Sequence, residues 1–255
     1  MLIYFSATGN TKHVVEEIAY TNERIIAIDK AKDISEINLD ANERLGILAP
    51  SHAGGLPANV KLFLENLKIN YSIHPYTFYI GTCGKSTGFS SRQVKDILIK
   101  KGIELDASFD IRMPDSFILF SDVNDKEKIS EINRQANREI LDIKYKLDDG
   151  VIGDFITSKM PKTVGNLIQS AYEKFKSTDK FEVSDACISC GTCARDCPVG
   201  AIKMTIDRPT WVTESCLLCL RCIHACPTNA ISYGKKTKVN GQYLNSAYHD
   251  QVNEL

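Results

Sequence analysis

Two cysteine runs constrain this chain more than any other feature of its sequence. Residues 187–197 and 216–226 each place four cysteines in the order Cys-x-x-Cys-x-x-Cys-x-x-x-Cys, and a proline follows each run. The second run repeats the first at an offset of 29 residues, and the repeat extends to Ala201-Ile202 and Ala230-Ile231. Dense cysteines at regular spacing, in a chain expected to stay in a reducing compartment, indicate metal ligands rather than disulfides.

This spacing predicts two [4Fe–4S] clusters that exchange one ligand each. Three closely spaced thiolates bind three irons of one cubane, and the Cys-Pro of the other run supplies the fourth ligand. The two predicted ligand sets are Cys187, Cys190, Cys193 and Cys226, and Cys216, Cys219, Cys222 and Cys197. Zinc is the alternative, but zinc sites usually combine two separated ligand pairs, which leaves the third cysteine of each run without a role. This part of the chain resembles bacterial-type two-cluster ferredoxins.

Composition excludes several classes of protein. The chain has 255 residues, and its 43% of hydrophobic residues is enough for a core. Its net charge of −1 gives no field that favours nucleic acid. No run approaches the roughly 20 apolar residues of a membrane span. The sequence starts directly in a strand-like segment without a basic leader, so we expect a cytoplasmic location.

The region before the cysteine runs alternates short apolar runs with amphipathic helical stretches. Five runs have the length and the apolar composition of strands: 2–5, 24–28, 44–49, 76–81 and 107–112. Helical spacing of apolar residues predicts helices over 11–19, 58–67, 90–100 and 125–147. This alternation predicts an α/β fold with a parallel sheet that helices cover on both faces.

The chain is expected to divide into four parts. Residues 1–148 form the α/β domain, and residues 149–180 form a helical connector with an amphipathic helix over 164–175. Residues 181–235 hold both cysteine runs in a small α+β domain, and residues 236–255 form a polar tail. Composition does not decide whether this tail is ordered.

Three loops at predicted strand ends are candidates for ligand binding. The first, Ser6-Ala7-Thr8-Gly9-Asn10-Thr11, opens a helix, where backbone N–H groups and hydroxyls form a cradle for an anion. An ordinary capped turn is the alternative for this loop alone. The other two, residues 50–57 and 81–89, follow the next strands along the sheet, whose carboxyl ends bind ligands in open α/β folds. The sequence lacks the lysine-containing phosphate loop of nucleotide triphosphatases and the dinucleotide fingerprint.

The Ser-x-Thr-Gly-Asn-Thr loop, followed by these two loops, resembles the flavodoxins. Joined to the ferredoxin-like end, the whole chain resembles fused flavodoxin–ferredoxin proteins, which implies a flavodoxin-like doubly wound sheet of five strands. The resemblance implies that FMN is bound, with its phosphate on Ser6, Ala7, Thr8, Gly9, Asn10 and Thr11. It places one side of the isoalloxazine ring against Pro50, Ser51, His52, Ala53, Gly54, Gly55 and Leu56. It places the other side against Thr82, Cys83, Gly84, Gly88 and Phe89.

One departure from the flavodoxin pattern affects the ring site. Many flavodoxins enclose the ring between Trp and Tyr, whereas the one tryptophan of this chain, Trp211, lies between the cysteine runs. We therefore expect an open ring face. Cys83, the ninth cysteine, is interpreted as a small buried thiol, and no catalytic residue is assigned.

The two predicted cofactors together favour an electron-transfer protein. FMN exchanges two electrons and each cluster one, so the chain would couple one-electron and two-electron partners. Its expected partners are redox proteins: a ferredoxin, a reductase or an acceptor enzyme. The alternative is an FMN-dependent reductase of a small acceptor fed by the clusters. The sequence leaves the direction of flow and the oligomeric state open, a homodimer included.

Overall fold

The central sheet of the protein is parallel and covered by helices. A computed structural model describes residues 1–31, 33–212 and 216–251. The strands of its α/β part are β1 (Leu2–Tyr4), β2 (Ile25–Ala27), β3 (Glu36–Leu39), β4 (Leu45–Pro50), β5 (Lys68–Tyr71), β6 (Thr77–Cys83), β7 (Ala107–Arg112) and β8 (Gly153–Asp154). The central sheet has the order β2-β1-β4-β6-β7-β8, with all pairings parallel.

The strand order confirms the predicted fold class. The five predicted strands, counted in chain order, are arranged 2-1-3-4-5, which is the flavodoxin-like doubly wound order. The sheet also has a sixth strand at its edge, the two-residue β8, which was not predicted from the sequence. The separate parallel pair of β3 and β5 was not predicted either, because these strands are short and polar on one face.

Helices cover both faces of the sheet. They are α1 (Asn10–Ile18), α2 (Ala58–Asn66), α3 (Ser90–Ile99) and α4 (Lys126–Asp148); the next helix along the chain, α5 (Lys162–Phe175), belongs to neither sheet core. Successive side chains of a strand point to opposite faces, so Leu2 packs in one core with α1 and α4, while Ile3 packs in the other with α2 and α3. The four helices predicted for this region are confirmed, with ends that differ by at most one residue.

The cysteine-rich part consists of short elements arranged as a repeat. They are β9 (Phe181–Val183), α6 (Thr192–Arg195), β10 (Ile202–Met204), β11 (Pro209–Trp211), α7 (Arg221–His224) and β12 (Ile231–Tyr233). The strands pair as β10 with β11 and as β12 with β9, both antiparallel. Positive φ angles recur at repeat-related positions: Ser189 and Leu218, Gly191 and Leu220, Gly200 and Asn229. The two runs therefore share one backbone path as well as one spacing.

The C-terminal segment returns across the first loop of the sheet. The Asn245 backbone N–H donates to the Thr8 carbonyl at 2.8 Å. The Tyr243 hydroxyl donates to Asn10 Oδ1, also at 2.8 Å. Residues 240–248 of the predicted tail are thus ordered against the α/β domain, while residues 252–255 lie outside the described residues. No helix in the described part of the chain has both the length and the apolar character needed to cross a membrane.

Candidate cofactor sites

A large cavity lies at the carboxyl edge of the central sheet. Its volume of about 750 Å³ falls within the usual range for small-molecule and cofactor sites. All three predicted loops contribute to its wall. The predicted residues that line it are Ser6, Ala7, Thr8, Asn10, Thr11, Pro50, Ser51, His52, Ala53, Gly54, Thr82, Cys83 and Gly84.

The other residues predicted for these loops lie behind the wall. They are Gly9, Gly55, Leu56, Gly88 and Phe89. Leu56 and Phe89 are each 2% exposed and belong to the packed interior. Gly88 has φ of 63°, and a Cβ there would lie 2.3 Å from the carbonyl oxygen of Gly54. Only glycine allows this close contact between the second and third loops, so Gly88 shapes the cavity without lining it.

Two further segments, which were not predicted to belong to a site, contribute to the wall. Ile168, Ala171, Tyr172 and Phe175 line the cavity from α5, at the spacing of one helix face. The loop after β7 adds Pro114, Asp115, Ser116, Phe117, Phe120 and Ser121. The aromatic side chains that the three loops lack are thus supplied from elsewhere. The apolar face of the 164–175 helix was the available signal, but it indicated packing rather than a cavity wall.

Unpaired polar groups lie in the first and second loops of the cavity wall. Ser6 Oγ and Ser51 Oγ are buried and have no hydrogen-bond partner among the described residues. The N–H groups of Ala7 and Thr8 also find no acceptor in that part of the chain. Helix α1 begins beside them with no acidic residue in its first turn, so the positive end of its dipole faces the same place. This arrangement fits an anionic group such as a phosphate.

Two titratable residues of the cavity are held neutral. Burial lowers the pKa of His52 to about 4, and the charge of Lys176 adds to this effect. Burial raises the pKa of the Cys83 thiol to about 12, with a further contribution from Asp110. At neutral pH His52 is therefore an uncharged imidazole and Cys83 an unreactive thiol. Neither supplies a charge to a bound molecule.

The eight motif cysteines separate into two groups that draw on both runs. Cys187, Cys190, Cys193 and Cys226 surround one small cavity. Cys197, Cys216, Cys219 and Cys222 surround a second. Below, the first is called the outer group and the second the inner group. Each group combines three cysteines of one run with the last cysteine of the other, as the predicted exchange of ligands requires.

Backbone amides are aimed at the sulfurs of both groups. Ala201 N–H donates to Cys197 Sγ and Ala230 N–H to Cys226 Sγ, each at 3.2 Å, and these positions are related by the repeat. Burial raises the pKa of the Cys193 and Cys219 thiols to about 11. A bound cationic centre would deprotonate such thiols, and the amide donors would then stabilise the thiolates. The donor set therefore fits an iron–sulfur cluster.

The inner group adjoins the large cavity. Cys219 lines both spaces, so its side chain forms part of the wall between them. The Tyr172 hydroxyl donates to the Leu217 carbonyl at 3.1 Å and ties α5 to the inner group. None of the outer-group cysteines lines the large cavity, and Cys190 of that group is exposed. Of the two groups, the inner one is therefore the group that adjoins the cavity.

Comparison with known proteins supports the iron–sulfur part of this arrangement. A family described as "4Fe-4S dicluster domain" matches residues 186–231. Among solved structures, the chain is similar to the rubredoxin oxygen:oxidoreductase of the anaerobe Desulfovibrio gigas, with 14% identity and a TM-score of 0.32. That similarity covers 56% of this chain and 36% of the other, so the chain spans about a third of that protein's length. No curated protein matches. The family match confirms the prediction of an iron–sulfur domain over a zinc site.

Proposed function

We propose that this iron–sulfur protein binds FMN in the large cavity and one [4Fe–4S] cluster in each cysteine group, and that it carries electrons between them. The observation that carries this proposal is the shared wall at Cys219, since it puts the cavity in direct contact with the inner group. A bound flavin would exchange electrons in pairs and bound clusters would exchange them singly. The protein would then couple one-electron partners to two-electron partners.

The residues around the cavity suit FMN more than a neutral flavin. Ser6 Oγ and the N–H groups of Ala7 and Thr8 offer unused donors to a phosphate, beside the N-terminus of α1. Thr11 Oγ1 and Thr82 Oγ1 are 2.8 Å apart and join the first loop to the third. Tyr172 and Phe117 supply aromatic surface for a planar ring.

The cysteine groups are suited to carrying electrons rather than to binding a substrate. Each group offers four thiolates, which would saturate the irons of one cubane and leave no open coordination position. Exposure of Cys190 puts the outer group within reach of a partner protein. The inner group is shielded from solvent by leucine side chains, since Leu217, Leu218 and Leu220 are at most 3% exposed.

The test measures FMN binding in a matched pair of hydroxyl variants. Both Ser6 and Thr87 have a buried hydroxyl without a partner among the described residues, but only Ser6 lines the cavity. Ser6→Ala should weaken FMN binding roughly 10- to 150-fold, because a hydrogen bond to a charged group contributes about 1.5–3 kcal/mol. Thr87→Val should leave it unchanged. The wild-type chain, reconstituted anaerobically, should contain one FMN and about eight irons. Failure to bind FMN, or equal affinities in the two variants, would contradict the assignment.

A second candidate function is reduction of a small acceptor at the flavin. The observation that favours it is the apolar rim that Met160, Ile168 and Phe175 add to the cavity, together with Phe120, which is 73% exposed. Such a rim would accept an apolar planar molecule. Steady turnover of small quinones by the reduced protein, abolished by Phe120→Asp, would favour the enzyme. Electron transfer to proteins alone would favour the carrier.

A further inference from the structure

Arg221 connects the inner cysteine group to the first loop of the cavity. It lies between Cys219 and Cys222 in sequence, yet its side chain reaches the end of β1. Its Nε donates to the Ala7 carbonyl at 3.0 Å, and its Nη2 donates to the Ser6 carbonyl. The residue is only 4% exposed. A charged side chain is thus buried between two sites that lie more than 200 residues apart in sequence.

The guanidinium is fixed on its other side as well. Nη1 donates to Asp29 Oδ2 at 2.6 Å and to the Asp196 carbonyl at 2.8 Å. Asp29, which follows β2, is itself buried, with a side chain that is 5% exposed. The guanidinium also lies 5.6 Å from the centre of the Phe5 ring. With so many of its donors in use, Arg221 has one favourable position.

The contacts of Arg221 determine which way the first loop faces. The described chain contains no cis peptide bond, so each carbonyl points away from the N–H of the next residue. Because the carbonyls of Ser6 and Ala7 turn towards Arg221, the N–H groups of Ala7 and Thr8 turn to the opposite side. Neither of these N–H groups has an acceptor among the described residues, and both residues line the cavity.

We propose that Arg221 is a positioning residue that couples phosphate binding in the cavity to assembly of the inner cluster. The inference rests on the proposed function. Closure of the inner group around its cluster fixes the 219–222 loop, and that loop carries the guanidinium which holds the first-loop amides in place. Loss of the cluster frees the loop and with it the amides. Because coupling between sites is reciprocal, a phosphate-bearing flavin in turn stabilises the inner cluster.

The first experiment compares two arginines and two flavins. Arg221→Lys keeps the charge but loses the fork that spans both carbonyls. Arg44→Lys is the matched control: Arg44 is also buried and paired, with Glu23 at 2.7 Å, but it precedes β4 at the opposite end of the sheet. Fluorescence titration of Arg221→Lys should show FMN bound about tenfold more weakly and riboflavin, which lacks the phosphate, bound as in the wild type. Arg44→Lys should alter neither affinity.

The second experiment removes one cluster at a time. Cys197→Ala deletes an inner ligand that lies outside the 219–222 loop, and Cys226→Ala deletes an outer ligand. Cys197→Ala should weaken FMN binding about tenfold in the wild-type background and hardly at all when combined with Arg221→Lys. Cys226→Ala should leave FMN affinity unchanged. Non-additivity of this kind is the signature of two changes that act through one contact.

The outcomes separate this inference from the function on which it rests. A wild-type chain that binds no FMN would overturn both. A chain that binds FMN normally, with unchanged affinity in Arg221→Lys or with additive effects of Arg221→Lys and Cys197→Ala, would overturn the coupling alone. Should Arg221→Lys fail to fold, the wild type still decides, because bound FMN should slow iron loss from the inner cluster about tenfold and riboflavin should not. Equal rates of iron loss with the two flavins would overturn the coupling.

Discussion

The outer and inner cysteine groups have the same spacing and the same backbone turns but different surroundings. Ile188 and Leu217 occupy equivalent positions, each directly after the first cysteine of its run. Ile188 is 64% exposed, whereas Leu217 is 3% exposed and packs in the core of the α/β domain. Cysteine spacing therefore specifies how each group is built, while the residues between the cysteines specify what the group contacts.

The same contrast holds at two further pairs of positions. Thr192 and Arg195 of the first run (residues 187–197) correspond to Arg221 and His224 of the second run (residues 216–226). Arg195 lies at the surface beside Asp196, with a side chain that is 43% exposed. His224 is buried: its Nδ1 accepts from the Tyr243 N–H at 3.1 Å, so its Nε2 donates to the Ser116 carbonyl at 2.7 Å. The second run thus contacts the α/β domain and the C-terminal segment through side chains that the first run lacks.

The substitution with the largest expected effect tests whether the two cysteine runs exchange a ligand. Cys197→Ala should remove the inner cluster and leave the outer one, although Cys197 lies in the first run. Iron content should fall from about eight to about four per chain. EPR spectroscopy of the reduced protein should show one cluster instead of two interacting clusters.

A second substitution in the Cys197→Ala background identifies the surviving cluster. Adding Cys190→Ala should remove the remaining iron, because Cys190 belongs to the outer group. Adding Cys219→Ala should change the iron content little, since its cluster is already lost. The reverse pattern would show that each run binds its own cluster.

The cysteine groups, the central sheet and the three loops could be predicted from the sequence because they depend on local sequence patterns. The 29-residue repeat predicts both cysteine groups, since a [4Fe–4S] cubane needs thiolates at short fixed spacing. Strand and helix periodicity predicts the central sheet, and strand ends locate the three loops. Cavity residues such as Ser6 and Thr82 can be predicted because they lie at those strand ends.

The other features of the sites could not be predicted, because they depend on contacts between segments that are distant in the sequence. Tyr172 and Phe117 line the cavity only because α5 and the loop after β7 fold over the carboxyl edge. No local pattern places Arg221 beside Asp29, and only the folded structure shows the two side chains buried against each other. The C-terminal segment was undecided for the same reason, since its polar side chains bind partners such as Asn10 at the other end of the chain.

A smaller effect is expected when the equivalent apolar residues of the two runs are replaced by alanine. Leu217→Ala should destabilise the protein by about 2–5 kcal/mol, because it leaves a cavity in the packed core. Ile188→Ala, the matched change in the first run, should change the free energy of unfolding by no more than about 0.5 kcal/mol. Denaturant unfolding of the two anaerobic variants measures both values. Similar losses of stability would mean that Ile188 is buried as Leu217 is, which would contradict the difference in burial between the two runs.

The smallest effect is expected for the hydrogen bond that Tyr172 of α5 donates to the loop of the inner group. Tyr172→Phe removes the donor to the Leu217 carbonyl but keeps the ring, so it should cost about 0.5–1.5 kcal/mol. Tyr76→Phe is the control, since its hydroxyl also donates to a backbone carbonyl, that of Val151, away from the clusters. Both variants should lose similar stability, but only Tyr172→Phe should release inner-cluster iron to a chelator about two- to tenfold faster. Equal release rates would show that α5 covers the inner group without holding its loop.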